Sequence, residues 1–215
     1  MCSRAEKAVL LLAYALTFGA LAIHPRERDA WALENLVPFL ELLACAIYYR
    51  WVELTRASYV LIFVHLVVQM IGGHYTYAEV PLFNWLRDEF GWSRNHYDRV
   101  AHFAVGFCLY VPVREICLRR SPLAGSKAWT SFFVYSVLTA VAGIWEVWEW
   151  LVAEWAYSDL GTAYLGTQGD AWDAQKDILL APVGAVAAAL LFTRWHNRLL
   201  KGLPQKWEAR LKEPA

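Results

Sequence analysis

Charged residues are scarce in this sequence. Asp, Glu, Lys and Arg together make up 19% of the 215 residues, whereas 58% are hydrophobic and twelve are Trp. A soluble domain typically carries about 25% charged residues and a smaller apolar share. The composition therefore excludes an ordinary soluble domain and indicates a protein that crosses a membrane several times.

Several familiar motifs are also missing. The chain lacks the His-Glu-x-x-His and Cys-x-x-Cys patterns of common zinc sites, and it contains no internal repeat, low-complexity tract or nucleic-acid-binding motif. No small-residue cleavage pattern precedes His24, so we expect the first apolar stretch to remain as a helix. Because the cysteines lie within or at the inner ends of apolar stretches, we expect no disulfide.

Six apolar stretches approach the ~20 residues that a helix needs to cross the hydrocarbon core. They lie near Ala8–Ile23, Trp31–Tyr49, Ser58–Gly72, Val100–Leu118, Ala128–Trp155 and Ile178–Phe192. We predict an all-α protein with a bundle of six transmembrane helices over residues 1–200 and a basic cytoplasmic tail over residues 201–215. The third stretch is short and contains His65 and Gln69, so a re-entrant segment is the alternative for it. These two residues are expected to form a hydrogen-bonded pair.

A short segment between the third and fourth stretches mixes aromatic and charged residues at helical spacing. It runs from Val80 to Trp92 and predicts a helix that lies in the membrane interface. Two roles are open for this helix. It could cover the outer ends of the bundle, or it could anchor the protein at headgroup depth through Trp85, Phe90 and Trp92.

The distribution of Lys and Arg predicts the orientation. With the amino terminus inside, the outer segments would hold only six of the 20 basic residues, namely Arg26, Arg28, Arg87, Arg94, Arg99 and Lys176. Since Lys and Arg concentrate on the cytoplasmic side, both termini are predicted to be cytoplasmic.

Polar residues stand at the predicted outer ends of three helices. They form three pairs at spacings of three or four, Asp98 with His102, Glu146 with Glu149, and Asp173 with Asp177. Each spacing places both side chains on one helix face. Small residues continue these faces, so the faces are predicted to meet inside the bundle. Acidic groups cost roughly 2.5–3.5 kcal/mol at mid-membrane, and their presence therefore indicates a functional site.

Two neighbouring segments are predicted to join this cluster. The third stretch ends on the same side with His74 and Tyr77. The string from Gly166 to Asp170 can turn back over the helix ends and bring Gln168 and Asp170 to the site.

These residues carry a family resemblance. The Asp98–Phe103 segment, the Glu146-x-x-Glu149-Trp150 pair and the Gly166–Asp177 string resemble the YjdF-type family of small bacterial inner-membrane proteins. The resemblance implies a multi-pass inner-membrane location. More distantly, the chain is similar to VanZ-like membrane proteins, although Glu149 stands where a Gln is expected in them.

Carboxylates and imidazole together suit divalent metals such as Zn, Mn or Fe, and oxygen-rich sets favour Mg or Mn. One hypothesis is a metal-assisted hydrolase or transferase that faces the periplasm or exterior and acts on a lipid or lipid-linked substrate. In it, Asp98, His102, Glu146, Asp173 and Asp177 hold the metal. Glu149 or His74 acts as the general acid or base. Gln168, Asp170 and Tyr77 contact the substrate.

Two alternatives use the same residues without chemistry. The cluster could bind a cation, a proton or a small ligand, or it could be a structural network in which Arg94, Arg99 and Lys176 pair with the carboxylates. The sequence does not indicate an oligomeric state, and it predicts membrane lipids rather than nucleic acid as partners.

Overall fold

The computed structural model describes residues 1–155 and 167–203, and within these ranges its regular structure is entirely helical. The described ranges contain eight α-helices, namely α1 (Arg4–Leu21), α2 (Arg28–Glu34), α3 (Leu36–Tyr49), α4 (Arg56–His74), α5 (Pro81–Phe90), α6 (Tyr97–Arg120), α7 (Lys127–Trp155) and α8 (Asp173–Leu200). A short 3-10 helix, Pro122–Gly125, precedes α7. Gly166 and the tail from residue 204 onward lie outside the described residues.

Five helical segments of the described ranges are long and apolar enough to cross a membrane, rather than the six predicted. Helices α2 and α3 together form one of them, Arg28–Tyr49, and α4, α6, α7 and α8 are the others. The helix left over is α1, which has 18 residues and carries Arg4, Glu6 and Lys7 in its first turn. These charges leave too short an apolar run for a full crossing. The short third stretch does qualify, as α4.

Helix α6 is the centre of the bundle, because α4, α7 and α8 all pack on it. Its most extensive contact is with α8, which runs parallel to it. At Gly106 a Cβ atom would collide with the Ala181 carbonyl oxygen, and at Gly184 it would collide with the Phe103 carbonyl oxygen. The two helices therefore approach each other through their glycines, as small residues allow.

The predicted inward faces are confirmed as buried. The small residues that continue the polar pairs are all shielded from solvent, namely Gly106, Ala142, Ala153, Ala181, Gly184, Ala185 and Ala188. This packing brings the first turns of α6 and α8 to the same end of the bundle as the last turns of α7.

The segment after α4 forms the predicted short helix, α5. Pro81 stands in its first turn, and it ends at Gly91, whose φ of +64° is the left-handed conformation that favours glycine. Asn84 of α5 accepts a hydrogen bond from the Asn95 side chain at 2.9 Å, which ties α5 to the start of α6. The depth of α5 in a membrane stays a prediction.

Candidate metal centre

Three of the predicted metal ligands converge at this end of the bundle. Potential ligand atoms of Asp98, His102 and Asp177 all lie within 4.8 Å of one another. Asp98 and His102 share a face of α6, and Asp177 stands one turn into α8 on the face that packs against α6. Two carboxylates and an imidazole at this separation can bind one divalent cation together.

Helix α7 adds two further carboxylates. The Oε1 atom of Glu146 lies 3.1 Å from Nε2 of His102, and the same Nε2 atom lies 3.7 Å from Oδ1 of Asp98. Glu149, one turn later, is buried and accepts a hydrogen bond of 2.8 Å from the indole N–H of Trp145. Glu146 is thus placed as a possible fourth ligand, and Glu149 lies behind it.

Two polar atoms of the cluster have no hydrogen-bond partner within the described residues. They are Nδ1 of His102 and Oδ1 of Asp177, and both are inaccessible to solvent. Leaving a buried polar atom unsatisfied costs about 1–3 kcal/mol, and more when the group is charged. A bound cation would satisfy Asp177 and compensate the surplus of carboxylates, so the donor set fits a metal.

Asp173 lies in the same cluster but has other partners. Both nitrogens of the Arg94 guanidinium fork reach its carboxylate, and Arg99 Nη2 donates to Oδ1 at 2.8 Å. Arg94 and Asp173 are both buried, so this ion pair is shielded from water. The geometry places Asp173 as a partner of these two arginines, and its role as a metal ligand stays a prediction.

The string before α8 folds back toward the site as predicted. Gln168 is bound to the Asn95 backbone twice, since its Oε1 accepts from the Asn95 N–H at 2.8 Å and its amide donates to the Asn95 carbonyl at 3.0 Å. Gly169 follows with a φ of +85°, which favours glycine. Asp170 then accepts from Lys176 Nζ at 2.6 Å and from Arg99 Nη2 at 2.7 Å.

The Lys176 ammonium, the Trp172 backbone N–H and the Arg99 guanidinium hold the pKa of Asp170 well below its ordinary value. A carboxylate whose pKa is lowered on folding stabilises the folded state at pH values above the ordinary aspartate pKa of about 3.9. This stabilisation is lost as the pH falls below that value. We therefore expect Asp170→Asn to lower the melting temperature at pH 6. The difference in melting temperature between the variant and the parent protein should become smaller as the pH falls below about 4. A difference that does not change with pH would contradict the ionic role of Asp170.

Tyr77 and His74 have different surroundings. The Tyr77 hydroxyl donates to Oε1 of Gln69, and burial together with nearby carboxylates raises the pKa of Tyr77 well above its ordinary value, so the phenol keeps its proton. His74 Nδ1 lies 2.7 Å from the Leu21 carbonyl oxygen at the end of α1. Among the described contacts, none joins His74 to the carboxylate cluster.

The predicted pair of His65 and Gln69 is present. Gln69 Nε2 lies 3.1 Å from His65 Nε2, and His65 Nδ1 lies 2.6 Å from the Glu41 carboxylate. Together with Tyr77 these residues form a hydrogen-bonded chain from α3 through α4 to the segment before α5. Pairing of this kind lowers the cost of placing polar groups between transmembrane helices.

Glu34 is a buried acidic residue that the sequence reasoning missed. It is 4% exposed, lies at the end of α2, and packs on Gly73, where an added Cβ would come within 2.9 Å of the Glu34 Cβ. Its Oε2 atom has no partner within the described residues. An acidic residue inside an apolar stretch was the signal that could have found it.

A cavity of about 540 Å³ adjoins the cluster. It lies between α3 and α7, with α4 and α6 behind it, and His102 forms part of its wall. The cluster thus borders an apolar space inside the bundle.

These features define a polytopic helical membrane protein with a buried acidic site. The family model described as "Predicted membrane protein (DUF2238)" matches residues 6–198. The inner membrane protein YjdF of Escherichia coli (strain K12) is 34% identical over 209 residues, which cover 93% of this chain and 96% of that protein. No solved structure matches this chain.

The chain therefore belongs to the DUF2238 family of membrane proteins, as the YjdF-type resemblance predicted. Its relative and its apolar helices together support a multi-pass location in the inner membrane.

Proposed function

We propose that this protein binds a divalent metal ion through Asp98, His102 and Asp177 and uses it to hydrolyse, or to transfer a group from, a lipid or lipid-linked substrate. The observation that carries the proposal is the meeting of three ligand groups, two of which contain buried atoms without a partner. The orientation predicted from the basic residues places this site toward the periplasm or exterior.

The donor set suits metal-assisted hydrolysis or transfer. Two carboxylates and one imidazole suit Zn, Mn or Fe, and addition of Glu146 would favour Mg or Mn. Such a metal polarises a phosphoryl or carbonyl oxygen and lowers the pKa of a bound water. Glu149 is the general acid or base in this proposal because it lies one turn from Glu146 and its Oε1 is held by Trp145.

The inner end of the bundle offers less support for a transport pathway. Its buried carboxylate, Glu115, is enclosed by donors from Thr55, Ser58 and Arg119 at 2.6–3.1 Å. A carboxylate whose oxygens all accept hydrogen bonds from the protein has a structural role rather than a role in binding transported ions. A site accessible from one side agrees better with an enzyme.

Metal content of the purified protein tests the proposal. We expect one divalent ion per chain by elemental analysis, and we expect His102→Ala and Asp177→Asn to lower the metal affinity at least about tenfold. Asp88→Asn is a suitable control, because Asp88 is an exposed acidic residue of α5. Equal, near-zero metal in the parent protein and in His102→Ala would refute the metal site.

A further inference from the structure

We propose that the cavity between α3 and α7 binds one acyl chain of a glycerophospholipid, whose head group then lies at Asp98, His102 and Asp177. This inference rests on the proposed function for the role of the head-group site, and it names the substrate class of that site. The chain-binding part depends on the cavity alone and can be tested separately.

The shape and lining of the cavity suit a hydrocarbon chain. Its volume of about 540 Å³ is within the range of small-molecule sites. Helix α3 packs on α2 and α4, whereas α7 packs on α6 and α8, and the cavity lies in the space between α3 and α7. Apolar side chains from both helices form most of its walls, including Leu36, Leu40, Val141 and Ile144, and the hydrogen-bonded chain through His65 forms a polar part of them.

The cavity opens sideways at a depth where the surroundings are lipid. Leu40, Val141 and Ile144 line the cavity and are also 50%, 43% and 70% exposed at the bundle surface. All three belong to helical segments that are long and apolar enough to cross the membrane. Since the hydrocarbon core contains no water to fill an apolar space, a lipid chain is the available occupant.

The cavity also leads to the metal centre. His102 lines the cavity near the amino end of α6. Leu109 lines it seven residues further along this helix, which corresponds to a helix rise of about 10 Å. A chain lying along this wall would place its polar end beside His102. Carboxylate-bound metals readily accept phosphate oxygens from a substrate, so a phosphorylated head group suits the adjoining cluster.

Photo-cross-linking tests the chain site. The protein is reconstituted with phosphatidylethanolamine that carries a diazirine in one acyl chain, and labelled peptides are identified by mass spectrometry. We expect labels on α3 and α7, and we expect Val141→Trp to reduce labelling on the order of tenfold by filling the opening. Val147→Trp is the matched control, since Val147 is a 54% exposed residue of the same helix that does not line the cavity.

Competition with unlabelled lipids tests the class of ligand. Unlabelled phosphatidylethanolamine should displace the labelled lipid from the cavity, and a polyisoprenyl phosphate at the same concentration should displace less of it. Equal labelling of Val141→Trp and Val147→Trp would overturn the proposal. So would competition by a polyisoprenyl phosphate where phosphatidylethanolamine fails.

The two proposals can fail separately. Asp177→Asn should lose metal and keep acyl-chain labelling, because Asp177 does not line the cavity. Labelling at the cavity in a protein without metal would refute the proposed function alone. A metal-loaded protein without labelling at the cavity would refute the lipid site alone.

Discussion

Replacing either Gly106 or Gly184 by alanine is expected to destabilise the bundle by more than about 3 kcal/mol, the upper end of ordinary overpacking effects. An added Cβ at Gly106 would lie 2.7 Å from the Ala185 backbone nitrogen, and at Gly184 it would lie 2.9 Å from the Phe107 backbone nitrogen. Because these neighbours are backbone atoms, no side-chain rotation relieves the collision. Helices α6 and α8 would have to separate, and Asp177 would move away from His102.

A third glycine provides the control. Gly143 lies within α7, and an added Cβ would meet Ile178 Cδ1 at 4.0 Å, which is ordinary contact. Gly143→Ala should be neutral or slightly stabilising, since alanine favours helix over glycine by about 1 kcal/mol. Thermal melts of the three variants in detergent measure the effect. If all three melt at the same temperature, the close approach of α6 and α8 does not limit stability.

Glu115→Leu is expected to lower the melting temperature on the order of 10 °C. Glu115 is fully buried near the carboxyl end of α6 and is bound by the Thr55 backbone N–H, by two hydroxyl groups and by Arg119. Leucine removes the acceptor for all of them and leaves the Arg119 guanidinium, which is 6% exposed, without its carboxylate. An unpaired buried charge is the costly outcome of breaking such a pair, about 3–5 kcal/mol.

Two further variants separate charge from packing. Glu115→Leu combined with Arg119→Leu should recover part of the lost stability, because it removes both charges. Glu89→Leu changes an exposed glutamate of α5 in the same chemical way and should have little effect. If the double variant is less stable than Glu115→Leu, the loss comes from packing and not from the unpaired arginine.

The two ends of α6 therefore have different physical characters. Near its carboxyl end, Glu115 has a donor for each of its carboxylate oxygens. Near its amino end, Asp98, Glu146 and Asp177 meet one imidazole, and Arg94 lies near Asp98 while it also binds Asp173. The stable network is at one end, and the surplus of acceptors that a cation can satisfy is at the other.

The sequence by itself determined the class of protein, most of the candidate spans and the helix faces on which the polar side chains lie. Composition and run length indicate membrane helices, because only uninterrupted apolar stretches satisfy the bilayer core. Spacings of three and four placed Asp98 with His102 on one face, and the small residues of α8 identified the face that packs on α6. The sixth predicted span, at α1, is not confirmed, because the charges of the first turn shorten the apolar run.

The tertiary structure alone decided which carboxylates share partners. Asp173 and Asp177 stand four residues apart on one face of α8. Nevertheless Asp173 pairs with Arg94 and Arg99, whereas Asp177 lies beside His102 and Asp98. The sequence also could not place Glu34 against Gly73 of α4, or Trp148 beside a cavity that spans α3 and α7. Helical spacing fixes which side chains share a face of one helix, whereas distances between helices depend on how all of them pack.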